Sequence, residues 1–573
     1  MADSRQEQFL NLPFQEKLEF LYGLPARQKL DLILSAPEAE RLVRSFAPET
    51  LFYTLKEIGS ADAGDLLSLA VPEQIKWLFD LDCWDKDRPN LARMREWIEP
   101  LAEAGRKRMA EALMELDIEL VSLLLRQYIK VHRIDEPQEF SDMPSDRFVQ
   151  FDEHYLIEFI RNDAIQAHLL EFIEEAFERD YNYFAALMEE IYWGVVAELE
   201  EQAYQFRSSR MADRGFPDFF ESQSVFAYLS PRNFAELRAQ YPPPVRDALE
   251  DAEFLPPEVS PVPQGADNSL FNAALTAGFA AQGKRQLRSE MALVANRVLV
   301  AQAVDFGDLE AVRIAVEMTH DYLNLALEHL ASGELRSAID HLRETHLFLL
   351  FRLGVSLTID LRKRAELVLA KFGLAPGQAR EILYLDSPYR EALSGFLRRQ
   401  PLFHGGLDGD GAVVMRAFRT MADLHLGYAM LERLDAVPEL FIRLLGLDIA
   451  AASFRAHIAG YQIQLSQILV TALVRHALEG RLSMEPIEPR ILGRMYALLM
   501  TRNGPPAHLN EEFHRRTSEV LEAQLGSALR KRCADFVDSC LNVLEEDFAE
   551  IEPAKSIDQR FLRSLLIRRE HEL

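Results

Sequence analysis

The sequence predicts a mainly α, multi-domain protein, and three observations carry that prediction. Proline-punctuated periods of 11 to 12 residues run through residues 17 to 83. Apolar residues recur at helical spacing over most of the remaining chain. Glycine and proline, 26 and 27 of 573 residues, are too few for a β-rich or low-complexity chain.

The first element is the repeat. Ala36-Pro37-Glu38, Ala47-Pro48-Glu49 and Val71-Pro72-Glu73 recur, with Leu24-Pro25 before them and Ser60-Ala61-Asp62 between the second and third. Proline at a helix's first position sacrifices no hydrogen bond, and a glutamate beside it faces the positive end of the helix dipole. Each period therefore reads as a short helix with its own start signal. Leu30, Ile33 and Leu34, then Leu42, Val43 and Phe46, then Leu51, Phe52 and Leu55 supply the apolar faces. Helices this short bury a face only against stacked neighbours, so residues 1–134 are expected to form an α-solenoid-like superhelix. Longer helices over 91 to 131 complete it, with faces built on Trp97, Ile98 and Leu101 and on Leu116, Leu120, Leu123 and Leu124.

Residues 135–240 read as an acidic, mainly helical middle domain. Arg147-Phe148-Val149-Gln150-Phe151 and Tyr155-Leu156-Ile157-Glu158-Phe159 flank Asp152-Glu153-His154, which suits a small β-hairpin over 147–159, with continuous helix from His154 as the rival. A helix over 181 to 206 carries Phe184, Leu187, Met188, Ile191, Tyr192, Val195 and Leu199 on one stripe, read as a core face. Residues 241–267 are dense in proline and read as an extended linker. Residues 268–573 form a helical C-terminal domain, its last helix expected over Gln559 to Arg569.

Composition narrows the function. Lysine and arginine total 63 against 91 aspartates and glutamates, a net charge of −28, which argues against nucleic acid and anionic membrane surfaces. The charge is uneven: residues 135 to 264 hold 28 acidic and nine basic residues and no lysine. A basic protein partner or a solubilising face both suit such a segment. Three cysteines make no disulfide framework and suit a reducing compartment. The start, Met1 to Leu12, has no apolar signal-peptide core. The uncharged stretch Ile458 to Val474 is 17 residues and rich in glutamine, too short and polar for a membrane span. A cytoplasmic protein without membrane insertion is expected.

The candidate chemistry is sparse. Asp80, Asp82, Asp85 and Asp87 cluster after the last repeat, and carboxylate oxygens suit Mg²⁺ or Ca²⁺; no other cofactor is expected. His404-Gly405-Gly406-Leu407-Asp408-Gly409-Asp410-Gly411 is the most enzyme-like loop, but Ala412 replaces the third ligand of a calcium loop. His320-Asp321 is able to orient a base, yet no nucleophile is marked beside it. Cys533 and Cys540, seven apart, read as buried residues on one helix face rather than a redox pair. Arg560, Arg563, Arg568 and Arg569 interleave with apolar residues at the end of the chain, and this basic stretch is suited to docking on an acidic surface. No nucleophile elbow, dinucleotide fingerprint or kinase signature is present.

The Pro-Glu repeat of residues 17 to 131 resembles the amino-terminal cytosolic superhelix of MgtE-type magnesium transporters and the helical modules of the flagellar switch protein FliG. The resemblance covers less than a quarter of the chain. The whole chain is similar to an uncharacterised bacterial protein family, through segments such as Arg214-Gly215-Phe216-Pro217-Asp218-Phe219 and Asn296-Arg297-Val298-Leu299-Val300-Ala301. The transporter resemblance implies a regulatory or docking superhelix with cation sensing. It does not imply transport, because the transmembrane half is missing.

The leading expectation is a non-enzymatic cytoplasmic scaffold or regulator that binds a protein partner of basic character. Two alternatives stand beside it. One is an enzyme or small-ligand receptor with its pocket in residues 268–510, using His320, Asp321, His404, Asp408 and Asp410. The other is a divalent-cation sensor at Asp80, Asp82, Asp85 and Asp87. No motif fixes a pathway or an oligomeric state.

Overall fold

The computed structural model describes residues 2–22, 24–59, 62–134, 147–244, 268–408, 414–461, 463–501, 507–549 and 562–568, with positions 551 and 557. It is mainly helical, as expected, with three small antiparallel sheets among the described residues. The chain divides into two compact units. The first comprises Met1–Ala227, Glu236–Leu323 and Glu334–Phe351; the second comprises Tyr228–Ala235, Asn324–Gly333 and Arg352–Leu573.

The first unit begins with the short helices the repeat predicts: α1 (Ala2–Leu10), α2 (Phe14–Tyr22), α3 (Ala26–Ser35), α4 (Ala39–Arg44), α5 (Pro48–Ile58), α6 (Ala63–Leu69) and α7 (Pro72–Asp82). Pro48 and Pro72 open their helices, and Pro25 caps the third. Alternate helices pack together, α3 on α5 on α7 and α4 on α6, so each short helix is covered by a neighbour two along. Leu42, Val43, Leu51, Phe52, Leu66 and Leu78 are wholly buried, whereas Leu34 stays 46% exposed. Gln74 stitches the layers: its amide donates to the carbonyls of Val43 and Phe46 at 2.9 Å while its oxygen accepts from Val71 N at 3.1 Å. Glu49 behaves differently from a solvent-facing dipole partner. It is buried and bound by Arg214 at 3.0 Å, and burial pushes its carboxyl above the usual range.

A hairpin of two short strands, β1 (Trp84–Asp85) and β2 (Arg88–Pro89), follows α7. Then come α8 (Leu91–Glu103), α9 (Arg106–Glu115), α10 (Ile118–Leu125) and β3 (Ile129–Arg133). The expected hairpin is present: β4 (Phe148–Gln150) pairs antiparallel with β5 (Tyr155–Phe159), Val149 opposite Ile157. β3 adds on the other side of β5, making a three-stranded sheet in the order β3-β5-β4. The acidic region continues as α11 (Ala164–Arg179), α12 (Tyr181–Trp193), α13 (Val196–Asp213) and α14 (Phe219–Ser222).

The single helix expected over 181 to 206 is two helices. The helix ends at Gly194, whose backbone turns extended at a ψ of 138°, and no larger residue fits there because a Cβ would lie 2.5 Å from the Glu190 carbonyl oxygen. Phe184, Leu187, Met188, Ile191 and Leu199 keep the core face, while the break turns Tyr192, Trp193 and Val195 outward. Asp180 ends α11 and starts α12, accepting from Asn182 N at 3.0 Å and Tyr183 N at 3.1 Å. Asp180→Ala is expected to destabilise the first unit by about 1 kcal/mol through the lost cap, and Asp180→Asn by less; chemical denaturation of the two variants measures the difference.

The chain continues through α15 (Pro231–Gln240), α16 (Leu270–Gly278), α17 (Ala281–Ala301), α18 (Leu309–Ala331), α19 (Leu335–Glu344) and α20 (Leu347–Lys371). Most of the expected proline-rich linker, from residue 245 to 267, lies outside the described residues.

The second unit centres on α22 (Met421–Leu445), preceded by α21 (Tyr389–Phe396) and the two-residue strands β6 (Phe403–His404) and β7 (Met415–Arg416). α23 (Ala452–Tyr461), α24 (Leu465–Glu479), α25 (Leu492–Leu499) and α26 (Glu511–Ala549) follow. α22 and α24 pack on α26, burying Cys533 and Cys540 along that helix. The terminal helix expected from Gln559 is not what the described residues 562–568 form. They form no helix, bending at Ser564 and Leu565, and Ile567 bridges Ile487 in parallel. Arg563 pairs with Asp547 and Glu546, and Arg568 with Glu488, so this basic segment lies on carboxylates of its own unit. Arg560 and Arg569 lie outside the described residues.

Candidate functional site

The acidic cluster after the last repeat is divided by the end of α7. Asp80 and Asp82 are each 1% exposed, whereas Asp85 and Asp87 sit in the exposed β1–β2 hairpin. Residues two apart on a helix point in different directions, so the two buried carboxylates are captured by different partners.

Asp80 accepts from Arg210 Nε at 2.7 Å and Nη2 at 2.8 Å, and the same guanidinium reaches Asp117 at 2.7 Å. Burial pushes the Asp80 carboxyl up, and Arg210 draws it back only in part. Burial works against Arg210's charge as well, but its bonds to the two carboxylates outweigh that and hold the guanidinium above its ordinary range. Asp82 accepts from Lys56 Nζ at 2.7 Å and Trp97 Nε1 at 2.8 Å, with Arg93 3.8 Å away. Arg93 also grips Asp305 through both of its terminal nitrogens. The loop carrying Asp305 lies so close that a Cβ on Gly307 would meet Asp82 Oδ1 and Lys56 Cε, both at 2.9 Å. These carboxylates therefore join α5, α7, α8, the start of α10, α13 and the loop after α17.

Above this ionic layer lies a cavity of about 470 Å³. Trp84, Tyr204, Phe219 and Phe306 give it aromatic walls; Lys86, Arg88 and Arg207 reach it from the hairpin and from α13, and Asp85, Asp87, Asp218 and Asp305 line it too. Lys86 holds a positive φ of 61°, the conformation that lets the two-residue turn close. Tyr204 donates to Asp218 at 2.5 Å, and Asp218 also caps α14. Asp218 is thus occupied, its carboxyl held low against the effect of burial by the Tyr204 hydroxyl and the cap amides.

Arg207 is the distinctive group. Its Nε donates to the Asp80 carbonyl at 2.7 Å, and its guanidinium stacks over Trp84 with 5.0 Å to the ring centroid. Asp80's carboxylate is taken by Arg210, so among the described residues Arg207 forms no ion pair. Desolvation draws its pKa down to about 10, with Asp80 opposing. Lys86 and Arg88 likewise have no ion-pair partner among the described residues. By contrast, a neighbouring cavity of about 640 Å³ lined by Gly215, Leu293 and Phe348 has its arginine, Arg297, occupied by Glu221 at 3.0 Å.

The other expected site residues fall in different units. His320 is 2% exposed in the first unit, its Nε2 3.4 Å from Ser269 Oγ and its ring against Phe271. Asp321 lies beside it, with 3.8 Å between His320 Nδ1 and Asp321 Oδ1. His404 belongs to the second unit, where its Nδ1 accepts from Gly406 N at 3.2 Å. Asp408 faces Arg416 at 3.4 Å, and Asp410 lies outside the described residues. Among the described residues no group of three or more His, Cys, Asp or Glu side chains is gathered to hold a metal ion, and no helix is long and apolar enough to cross a membrane.

A family model described as a family of unknown function, DUF6178, matches residues 6–568. No match to MgtE-type transporters or to FliG accompanies it. Neither a curated protein nor a solved structure matches the chain.

Proposed function

We propose that this chain, which belongs to the DUF6178 family of unknown function, is a non-enzymatic regulatory protein that binds a small anionic ligand in the hairpin pocket of its first unit. The observation that carries the reading is Arg207: a guanidinium fixed by a backbone bond and a tryptophan face, with no carboxylate partner, at the wall of a ligand-sized cavity. Proteins seldom desolvate an arginine without pairing it. A carboxylate or phosphate would complete its hydrogen bonding as a bidentate acceptor, whereas the hairpin brings Lys86 and Arg88 together with Asp85 and Asp87 and so adds no net charge. The aromatic walls favour a ligand with a flat or apolar body behind its charge. The Pro-Glu repeat's likeness to the MgtE-type domain, read from its sequence and accompanied by no match to that family, fits a regulatory role.

Phenyl phosphate and indole-3-acetate, with phenol and indole as neutral controls, test this by calorimetry and thermal unfolding. The anions are expected to bind and raise the unfolding temperature, and the neutral compounds are not. Arg207→Met is expected to lose about 1.5–3 kcal/mol of that binding, roughly 10- to 100-fold, and Arg207→Lys to recover part of it. Equal binding of the neutral compounds, or undiminished binding by Arg207→Met, would overturn the proposal. Millimolar Mg²⁺ and Ca²⁺ in the same titration address cation sensing by the exposed Asp85 and Asp87.

A further inference from the structure

The corner between α12 and α13 presents an exposed apolar surface. Tyr192 is 41% exposed, Trp193 67%, Val195 55% and Val196 49%. The two aromatic rings contact edge to face, with centroids 4.7 Å apart. The corner is held from beneath: the Arg126 guanidinium donates to the carbonyls of Ile191 and Gly194 at 2.6 Å and of Glu190 at 3.2 Å. The carbonyls at the end of α12 are thereby satisfied without solvent, and the turn is fixed by Gly194. Exposed apolar groups normally occur singly; a fixed cluster centred on a tryptophan is the composition of a binding hot spot.

Charge identifies the occupant. Glu189, Glu190, Glu198, Glu200 and Glu201 surround the corner in sequence; Glu189 accepts from the Tyr155 hydroxyl and Glu201 from Gln205, and none of the five forms an ion pair among the described residues. Residues 135 to 264 contain no lysine to neutralise them. An acidic rim repels an anionic lipid surface and a second acidic copy of the same corner. We infer that the corner Tyr192–Trp193–Val195–Val196 docks a protein segment that offers an apolar side chain flanked by lysine or arginine. The apolar side chain covers Trp193, and the flanking cations pair with the glutamates at the rim. This surface is independent of the anion pocket, since it rests on different residues and takes ligands of opposite charge.

Trp193 is its own probe. Of the four tryptophans, Trp77, Trp84 and Trp97 are 4%, 6% and 7% exposed, so acrylamide quenching reports chiefly on Trp193. The full chain is titrated with a synthetic tryptophan-free amphipathic peptide carrying a leucine stripe between rows of lysine, and with its glutamate counterpart. The lysine peptide is expected to shield Trp193 from quenching and the glutamate peptide is not. Trp193→Gln, followed by fluorescence anisotropy of a labelled peptide, is expected to weaken binding at least about tenfold. The pair Glu198→Lys and Glu201→Lys is expected to weaken it and flatten its salt dependence. These positions are exposed, and unchanged thermal unfolding of each variant confirms that folding is intact. Equal binding of the two peptides, or full affinity in Trp193→Gln, would overturn the inference. So would shielding by phosphatidylserine vesicles in place of the lysine peptide, or concentration-dependent dimerisation in light scattering that Trp193→Gln abolishes.

Discussion

Arg210→Met is expected to lower the stability of the first unit by about 3–5 kcal/mol, the cost of breaking a buried ion network from one side. Arg210 is the shared partner of Asp80 and Asp117, whose side chains are only 2% and 10% exposed. Its loss strands two carboxylates in a poorly solvated layer. The first unit's transition in differential scanning calorimetry, the one that Arg210→Met shifts, measures the effect, since a chain of two units is not described by one two-state transition. A pH dependence accompanies it. Burial already raises the Asp80 carboxyl above its unfolded value, and removing Arg210 removes the main opposing influence. A raised folded pKa gives stability that is present below the unfolded value and lost as pH rises through the folded one. The variant's deficit should therefore be smaller at acidic pH and grow toward neutrality. Adding Asp80→Asn and Asp117→Asn should restore much of the loss, because a neutral hydrogen-bonded cluster carries no stranded charge. An Arg210→Met transition unchanged at neutral pH would show that the layer is not an energetic hub.

Gly373→Ala is expected to destabilise the second unit by about 2–4 kcal/mol, as two penalties act together. Gly373 has a φ of 69°, and a Cβ there would lie 2.4 Å from both the Ala450 carbonyl oxygen and Arg455 Nη1. Arg455 Nη1 donates to the Phe372 carbonyl at 2.9 Å and the Ala450 carbonyl at 2.6 Å, so the methyl group would enter the staple that holds these two turns together. Gly446→Ala is the control. It shares the left-handed backbone, with a φ of 64°, but a Cβ there meets nothing within 4 Å, so only the strain of about 1–2 kcal/mol remains. Equal losses in the two variants, read by denaturant unfolding, would show that the close contact adds nothing.

The legible parts of the fold were those specified locally. Proline at the first helical position is a backbone rule, and Pro48 and Pro72 open helices where the sequence placed them. The β4–β5 hairpin was legible from two β-prone runs around the polar turn Asp152-Glu153-His154, although β3 was not. Ile129–Arg133 follows directly on the leucines of α10 and read as more helix. The two-residue strands of β1 and β2 carry no period at all. The break at Gly194 was invisible because the apolar stripe runs on through it; only the crowding of a Cβ against Glu190 reveals it.

The candidate site was legible in position but not in chemistry. The aspartates at 80 to 87 drew attention to the right stretch of chain. Which of them stay available depends on pairings more than a hundred residues away in sequence, between Asp80 and Arg210 and between Arg93 and Asp305. Arg207 and Arg210 are both arginines on one helix, and nothing local says that one is paired and the other is not. Likewise, the sequence makes the basic end of the chain suited to an acidic surface, but only the fold names its acceptors, Glu488, Glu546 and Asp547.

The missing lysines of residues 135 to 264 have a practical meaning for anyone who handles the protein. Amine-reactive cross-linkers, biotinylation esters and carboxyl-coated sensor surfaces find no side-chain amine anywhere in the segment that holds the Trp193 corner. Immobilised through its amines, the protein is anchored at other sites, and the covalent chemistry leaves the tryptophan, its valines and their glutamates unmodified. Carbodiimide activation of the protein's own carboxylates does the reverse and modifies the rim glutamates along with the other exposed carboxylates. The same sample coupled in these two ways should bind a cationic peptide in one orientation and fail to in the other.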